Sequence, residues 1–569
     1  MSFETSNTFR GRSLTAAGDW SVDEQRYLYD QTRKLKHAWH HGSESDLDPF
    51  RIQAPKELSV WLMFLEASTR TKESFRNAAN FHNATLNTFD AATSSIGKKS
   101  ESLVDTVKML YGYSKRSIFI IRSKMEGVCL ALSEQLGDYA GRLGRERPVF
   151  LNAGDGRHEH PTQEFLDEFT FLEQLNWDTK KIHVALIGDL LHGRTVHSKA
   201  DGLKIFDQVI VDLVAPPELN MPTNYVTRMQ ENGFTIRTFT SIQDYLEKNA
   251  KEELSPIWYF TRLQLERMGD EIRDREAELR QAVTFYNPAW MEDLPDGCKF
   301  YHPLPRHRER PVIPNFLDQT PLNGWDGQSG NGYFTRIMEL ALVAGHVGDD
   351  FKGQVGQNAI AKVQRSHSLD LGSAVDTLNV AKDYIKEIPV TRKTRVEDQW
   401  KVGIKPVDDG TVIDHIAKGK SQKEIWDRID RIRRLLKLNV RGSHGVFHSN
   451  VTVKDGDKDT HKKQKIFKGI MSLPDVQEIT PTQLKKLAAA SPGCTVNVIA
   501  NQSVQKKYRL DMPPRIYNFE DISCANPDCV TAKAAYQNVS PYFYRTTGDT
   551  FTCRYCGRRH EYGDIWLMA

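Results

Sequence analysis

A chain of 569 residues is too long for one hydrophobic core, so several domains are expected. With 39% hydrophobic residues, 27% charged residues and a net charge of +3, the composition excludes a largely disordered chain and gives no global field aimed at nucleic acid or membrane. No apolar run is long enough to cross a bilayer, and "MSFETSNTFRGRS" lacks a signal-peptide core, which predicts a soluble, cytoplasmic protein.

From about residue 59 to 345, short apolar runs alternate with amphipathic ones. "LSVWLMFL", "RSIFIIRS", "HVALIGDL", "DQVIVDLV", "SPIWYFTR" and "AVTFYNPA" read as strands, each followed by loop residues and a helical pattern. That rhythm predicts two α/β domains built on helix-covered parallel sheets. In such sheets ligands sit at the carboxyl ends of strands. Polar clusters fall there: Ser68 to Lys72, Arg122, Asp189 to Thr195, and Thr261 to Gln264.

The first cluster, in "FLEASTRTKESF", has two readings. Ser and Thr are ordinary helix N-caps, but hydroxyls, helix N-terminal amides and an arginine fork also suit a phosphate. "NAGDGRHEHPTQEFLDEF" adds His160 and Gln163 around a Pro-Thr helix start, and a histidine there suits polarising a carbonyl. "SSIGKKSES" adds Ser95 and Lys99, and "GDLLHGRTVHS" adds Arg194. Each alone reads as a solvated loop residue. Their recurrence at predicted strand ends points to one anion-rich site.

Between about 350 and 400 the pattern weakens into a linker with at most one helix. Then "GTVIDHI", "KEIWDRIDRIRRLLKL", "FHSNVTVKDGDKDTHKKQKIF", "PTQLKKLAAASPG" and "CTVNVIA" predict strand, helix, strand-turn-strand, helix and strand, an α+β domain. Of seven cysteines, Cys129, Cys298 and Cys494 are scattered and read as core residues. Cys524, Cys529, Cys553 and Cys556 form two close pairs near the end. Four thiolates so spaced suit tetrahedral Zn²⁺ with no open position, a structural site. A nucleic-acid-binding zinc ribbon is the alternative, which the net charge does little to support.

"STRTK", "SSIGKK", "HPTQ", "GDLLHGRTVHS", "TRLQ", "HPLPR" and "GNGYF" resemble, in sequence and order, the catalytic chain of aspartate carbamoyltransferase over about residues 55 to 345. The resemblance implies that Ser68, Thr69, Arg70 and Thr71 hold the phosphate of carbamoyl phosphate. It implies that Thr71, Arg122 and His160 bond the carbamoyl oxygen and that Gln163 binds the carbamoyl amide. Arg194, Arg262 and Gln264 would hold the carboxylates of L-aspartate, near the Leu304-Pro305 backbone. Ser95 and Lys99 would reach the neighbouring subunit's site, giving a homo-oligomer built on catalytic trimers. Lys72, Ser100 and Ser123-Lys124 depart from the family pattern, without replacing a residue assigned to substrate.

The tail resembles the regulatory chain of the same enzyme over about 400 to 569, through "GTVIDHIAKG", "CTVNVIAN", "KKYR" and the cysteine spacing. By that resemblance Asp414, His415, Lys468, Asn497 and Lys507 line a nucleotide effector pocket. The implied domains are carbamoyl phosphate-binding (1–180), aspartate-binding (181–347), linker (348–399), effector-binding (400–510) and zinc-binding (511–569). The implied activity yields N-carbamoyl-L-aspartate and phosphate in pyrimidine synthesis. A carbamoyltransferase for another amino acid, or a catalytically silent nucleotide-sensing or scaffold subunit, stays open as an alternative.

Overall fold

The computed structural model describes residues 7–53, 55–89, 94–264, 274–356, 384–390, 407–438, 445–453 and 464–567. The chain divides into two compact units. One is Met1–Lys362 with Asn526–Val539 and Tyr555–Arg558; the other is Val363–Ala525 with Ser540–Arg554 and Arg559–Ala569.

The first unit holds two parallel sheets. Strands β1 (Leu58–Phe64), β2 (Thr85–Phe89), β3 (Arg116–Ser123) and β4 (Val149–Asp155) are ordered β2-β1-β3-β4. Strands β5 (Lys181–Ile187), β6 (Gln208–Val214), β7 (Thr235–Phe239), β8 (Ile257–Phe260) and β9 (Lys299–Tyr301) are ordered β7-β6-β5-β8-β9. The inner strands are apolar on both faces because helices cover both. The long helix Trp325–Val343 packs on the helices Thr69–Phe81 and Pro161–Gln174, burying Phe75, Phe165, Ile337 and Leu340.

Five of the six runs expected as strands form strands. "AVTFYNPA" does not: Glu276–Val283 is a helix, and a 3-10 turn follows at Pro288–Asp293, where Asn287 caps through its side chain. Its apolar character serves packing, since Phe285 is fully buried against Trp258 and Phe300. The sheet edge is supplied instead by the three residues of β9.

Asn526–Val539 and Tyr555–Arg558 belong to the first unit through the turn after β3. Glu126 N–H donates to the Asp528 carbonyl at 2.8 Å and its own carbonyl accepts from Val530 N–H at 3.0 Å. Its buried carboxyl accepts from Asn526 Nδ2 at 2.6 Å and Arg558 Nη2 at 3.2 Å. Arg157 Nη2 donates to Asp528 Oδ2 at 3.0 Å.

In the second unit, β10 (Ile385–Glu387), β11 (Gly410–Ile416), β12 (Gly445–Val453), β13 (Gln464–Leu473), β14 (Thr495–Ala500) and β15 (Ser503–Leu510) form an antiparallel sheet ordered β10-β15-β14-β11-β13-β12. Helices Gln422–Leu435 and Pro481–Ala490 share a core with Ile413, Met471 and Val496. The stretch read as linker thus contributes a strand, β10, whose backbone pairs with β15. The remainder of the expected linker (357–383 and 391–399), the first residues of the expected effector-binding domain (400–406) and the expected turn at 454–463 lie outside the described residues. Strands β16 (Arg515–Tyr517), β17 (Tyr542–Arg545), β18 (Thr550–Cys553) and β19 (Arg559–Glu561) make a second antiparallel sheet. Among the described residues no helix is long and apolar enough to cross a membrane.

Candidate active site and metal centre

Both parallel sheets change direction at a central strand. In the first sheet the chain runs from β1 to β2 on one side and returns to β3 on the other; in the second it runs β5 to β7 one way and returns to β8. Such a switch opens a crevice at the strand ends. Ser68–Thr71 follow β1 and Arg122 lies on β3, so the first crevice gathers these residues. Arg194 follows β5, and Arg262 with Gln264 follows β8, so the second gathers those. Together the crevices line one cavity of about 510 Å³.

That cavity takes in Ser68, Thr69, Arg70, Thr71, Arg122, His160, Gln163, Arg194, Arg262, Gln264, Leu304 and Pro305. Ser68 is the N-cap of Thr69–Phe81, yet its side chain accepts no capping hydrogen bond. The helix-cap reading therefore does not account for the hydroxyl. Arg70 is exposed and makes no ion pair among the described residues. Arg194 donates from Nη1 and Nη2 to Glu66 Oε2, each at 3.1 Å, and Arg122 Nε lies 3.6 Å from the same oxygen. Two cavity arginines thus converge on one carboxylate.

His160 enters at the N-cap of Pro161–Gln174, where Pro161 fixes the first turn. Burial, then the charges of Arg122, Arg194 and Arg336, push its imidazole well below the ordinary histidine value. It is a neutral donor-acceptor. Gln163, one turn further, donates from Nε2 to Asp167 Oδ1 at 2.8 Å. Across the cavity, Gln264 donates from its backbone to Asp189 Oδ2 and from Nε2 to the His192 carbonyl, both at 3.0 Å. The Leu304-Pro305 peptide is cis, and Leu304 N–H donates to His302 Nδ1 at 2.7 Å.

Several cavity residues carried no sequence signal of their own. Glu66 precedes the serine-threonine run, His302 lies inside "HPLPR", and Gln328 and Arg336 sit on the helix Trp325–Val343 to either side of "GNGYF". Burial, with Arg306, Arg70 and Arg262, pushes His302 down to about 3. Burial likewise pushes Arg336 down to about 10. Ser95 and Lys99 are not in the cavity; they lie on the short helix Ser95–Lys99, where Lys99 is exposed.

In the second unit the five effector candidates lie on four neighbouring strands. Asn497 is opposite Val412 on one side and Lys507 on the other, and Asp414 shares the Val412 face. Lys468 Nζ donates to Asp414 at 2.8 Å, and His415 Nδ1 lies 3.1 Å from Thr495 Oγ1. Buried neighbours Ile413 and Val496 point to the helix-covered side, which leaves these polar groups on the other.

The sulfurs of Cys524, Cys529, Cys553 and Cys556 lie within 4.8 Å of one another, all buried and none in a disulfide. Thr531 N–H lies 3.5 Å from the Cys529 sulfur, as a second-layer donor to a thiolate would. Four soft ligands and no water-accessible side describe a closed metal site.

The sequence matches the family model "Aspartate/ornithine carbamoyltransferase, carbamoyl-P binding domain" over residues 12–173 and its "Asp/Orn binding domain" partner over 180–336. It matches "Aspartate carbamoyltransferase regulatory chain, allosteric domain" over 402–511 and the corresponding "metal binding domain" over 514–566. The chain belongs to the aspartate carbamoyltransferase family. A Thermotoga maritima protein, PyrBI, is 47% identical over 565 residues, covering 98% of this chain and 99% of that one. A Treponema denticola PyrBI is 46% identical over 563 residues, covering 98% and 99%. An aspartate transcarbamoylase from Trypanosoma cruzi, solved with N-(phosphonacetyl)-L-aspartic acid, superposes with a TM-score of 0.50 at 28% identity, over 59% of this chain and 97% of its own. The chain is therefore an aspartate carbamoyltransferase of the pyrimidine pathway, with catalytic and regulatory parts fused and a structural metal site in its last domain. Transfer to another amino acid and a silent scaffold are not favoured.

Proposed function

We propose that the two halves of the cavity divide the substrates between them. Ser68, Thr69, Arg70 and Thr71 take the phosphate of carbamoyl phosphate at the start of a helix, where amide donors, hydroxyls and a guanidinium converge. Arg122, His160 and Thr71 bond the carbamoyl oxygen, and Gln163 accepts from the carbamoyl NH₂. Arg194, Arg262 and Gln264 hold the two carboxylates of aspartate against the Leu304-Pro305 turn. The observation that carries this division is the meeting of two topological switch points in one cavity, with Arg122 and Arg194 converging on the Glu66 carboxylate.

In that arrangement the α-amino group of aspartate attacks the carbamoyl carbon, since arginines anchor both substrates in the one cavity. Negative charge collects on the carbamoyl oxygen, where Arg122, Thr71 and neutral His160 donate. The C–O bond to phosphate breaks, and the departing phosphate takes one proton from the attacking nitrogen, which keeps the other as the N–H of the product. Ser95 and Lys99 serve the site of an adjacent subunit, so the catalytic unit is a trimer. The metal at the four cysteines is Zn²⁺, and the polar face carrying Asp414, His415, Lys468, Asn497 and Lys507 binds a nucleotide effector. The domain bounds follow the sequence reading, with residues 385–387 added to the effector-binding sheet.

The test is a carbamoyl-aspartate assay on the purified chain with aspartate and ornithine in parallel. Product from aspartate alone, with turnover changed by added nucleotide, is the expected result. Product from ornithine, or none from either, would refute the division of the cavity.

A further inference from the structure

Behind the cavity wall lies a buried polar cluster that substrate binding does not use. Asp167 stands four residues after Gln163 on the helix Pro161–Gln174, hence on the same face, and is fully buried. Its Oδ1 accepts from Gln163 Nε2 at 2.8 Å and from Gln328 Nε2 at 2.6 Å. Its Oδ2 accepts from Lys199 Nζ at 3.0 Å. Lys199 is also fully buried, and its ammonium is 2.6 Å from Glu164 Oε2. Burial works against that ammonium, but Asp167, Glu164 and Glu168 outweigh it and leave Lys199 raised. Burial pushes the Glu164 carboxyl well up despite Lys199.

The chemistry of the donors decides how the amides stand. A carboxylate only accepts, whereas a glutamine has one end that donates and one that accepts. Facing Asp167, Gln163 must turn its NH₂ inward, which leaves Oε1 for the cavity it lines. Gln328 is held the same way: its Oε1 accepts from His302 N–H at 2.9 Å, and His302 Nδ1 accepts from Leu304 N–H. One buried carboxylate therefore orients an amide on the carbamoyl phosphate side and anchors the turn on the aspartate side.

We propose that Asp167, with Lys199 beside it, is a positioning residue that fixes the Gln163 amide with its oxygen toward the cavity, so that the site selects an N–H donor on the carbamoyl group. This rests on the reading of Gln163 as the carbamoyl-amide ligand. A purely structural buried ion pair would give stability without this polarity.

The experiment compares the KM for carbamoyl phosphate in Asp167→Asn, Gln163→Glu, the double variant and Gln163→Ala, with melting curves to verify folding. Asp167→Asn puts an NH₂ where Gln163 now donates, so the glutamine turns its oxygen inward and KM rises about tenfold or more. In the double variant the new amide at position 167 donates its NH₂ to the new carboxylate at position 163, whose second oxygen faces the cavity, and the local charge equals that of the wild type. Most of the loss in KM should be recovered. Folded Asp167→Asn with wild-type KM, or a double variant no better than Asp167→Asn, overturns the proposal while leaving the Gln163 reading intact. Wild-type KM in Gln163→Ala overturns the reading itself, and the proposal with it. If Asp167→Asn does not fold, Gln163→Glu carries the test alone. Two adjacent carboxyls share one proton at low pH, mimicking the amide, and lose it as pH rises. KM for carbamoyl phosphate should then climb between about pH 6 and pH 8 in this variant only, and a flat profile overturns the proposal.

Discussion

Arg70 and Arg262 differ in what they leave behind when truncated. In the proposed division of the cavity Arg70 meets a phosphate whose charge grows as the bond to carbon breaks, so its loss should be felt in the transition state as well as in binding. Arg70→Ala should abolish measurable turnover, whereas Arg262→Ala should chiefly raise the aspartate KM; removing a charged hydrogen bond to a bound anion costs about 2–5 kcal/mol. Steady-state kinetics with each substrate limiting checks both. His160 gives a prediction in pH. Its folded value lies well below the ordinary one of 6.5, because burial and three arginines oppose its proton. The unfolded chain takes that proton near pH 6.5 and the folded chain does not, so its linked stability is complete above that pH and lost as pH falls below it. At neutral pH His160 is already the neutral imidazole, which keeps one N–H for hydrogen bonding and has no titration step there. His160→Gln should therefore lower kcat without changing the shape of the kcat profile between about pH 6.5 and pH 9. Disappearance of a titration limb in the variant would contradict this.

At the scale of elements, the second crevice depends on how closely β5 and β8 end. Gly188 follows β5 with φ of 118°, and a Cβ there would lie 2.3 Å from the Thr261 carbonyl oxygen. No side chain fits without moving the loop that carries Arg262 and Gln264. Gly188→Ala should cost about 1–3 kcal/mol of stability. It should also raise the aspartate KM more than the carbamoyl phosphate KM, as a melt and two substrate titrations would reveal. Legibility followed burial at this scale. β1, β3, β5, β6 and β8 are buried on both faces and wrote continuous apolar runs; β2 and β7 are half-exposed edges, "TLNTF" and "TIRTF", with no such run. β4 is wholly buried, but its polar end "NAGD" hid it. "AVTFYNPA" misled in the opposite direction, because a loop aromatic such as Phe285 can be as buried as any strand residue. The cavity was legible where the chain places hydrogen-bonding residues at strand ends, and through the order of its motifs. Asp167, Gln328 and Arg336 were not, because a polar residue buried on a helix leaves no periodicity to read.

For the whole molecule, the first question is whether one chain completes a site. Lys99 lies outside the cavity, so Arg70→Ala and Lys99→Ala subunits, each inactive alone, should regain activity on mixing if neighbours share sites. An active monomer, or no recovery after verified exchange, would exclude sharing. The second question is what the metal holds. Four thiolates fill a tetrahedral shell, so the ion has no position for substrate and cannot act as Lewis acid in the transfer. Such a site folds with its metal. Cys529 and Cys556 lie in the segments Asn526–Val539 and Tyr555–Arg558, whose bonds to Glu126 and Arg157 join them to the first unit. None of these residues lines the cavity. Cys553→Ala should therefore bind little metal and loosen that seam, seen as faster amide exchange in the turn around Glu126. Higher-order assembly and nucleotide response should go with it, while the catalytic unit keeps its turnover. Metal content, mass by size exclusion, amide exchange and activity on one preparation decide the matter. A metal-free variant that retains full assembly and effector response would show that neither depends on the cysteine site.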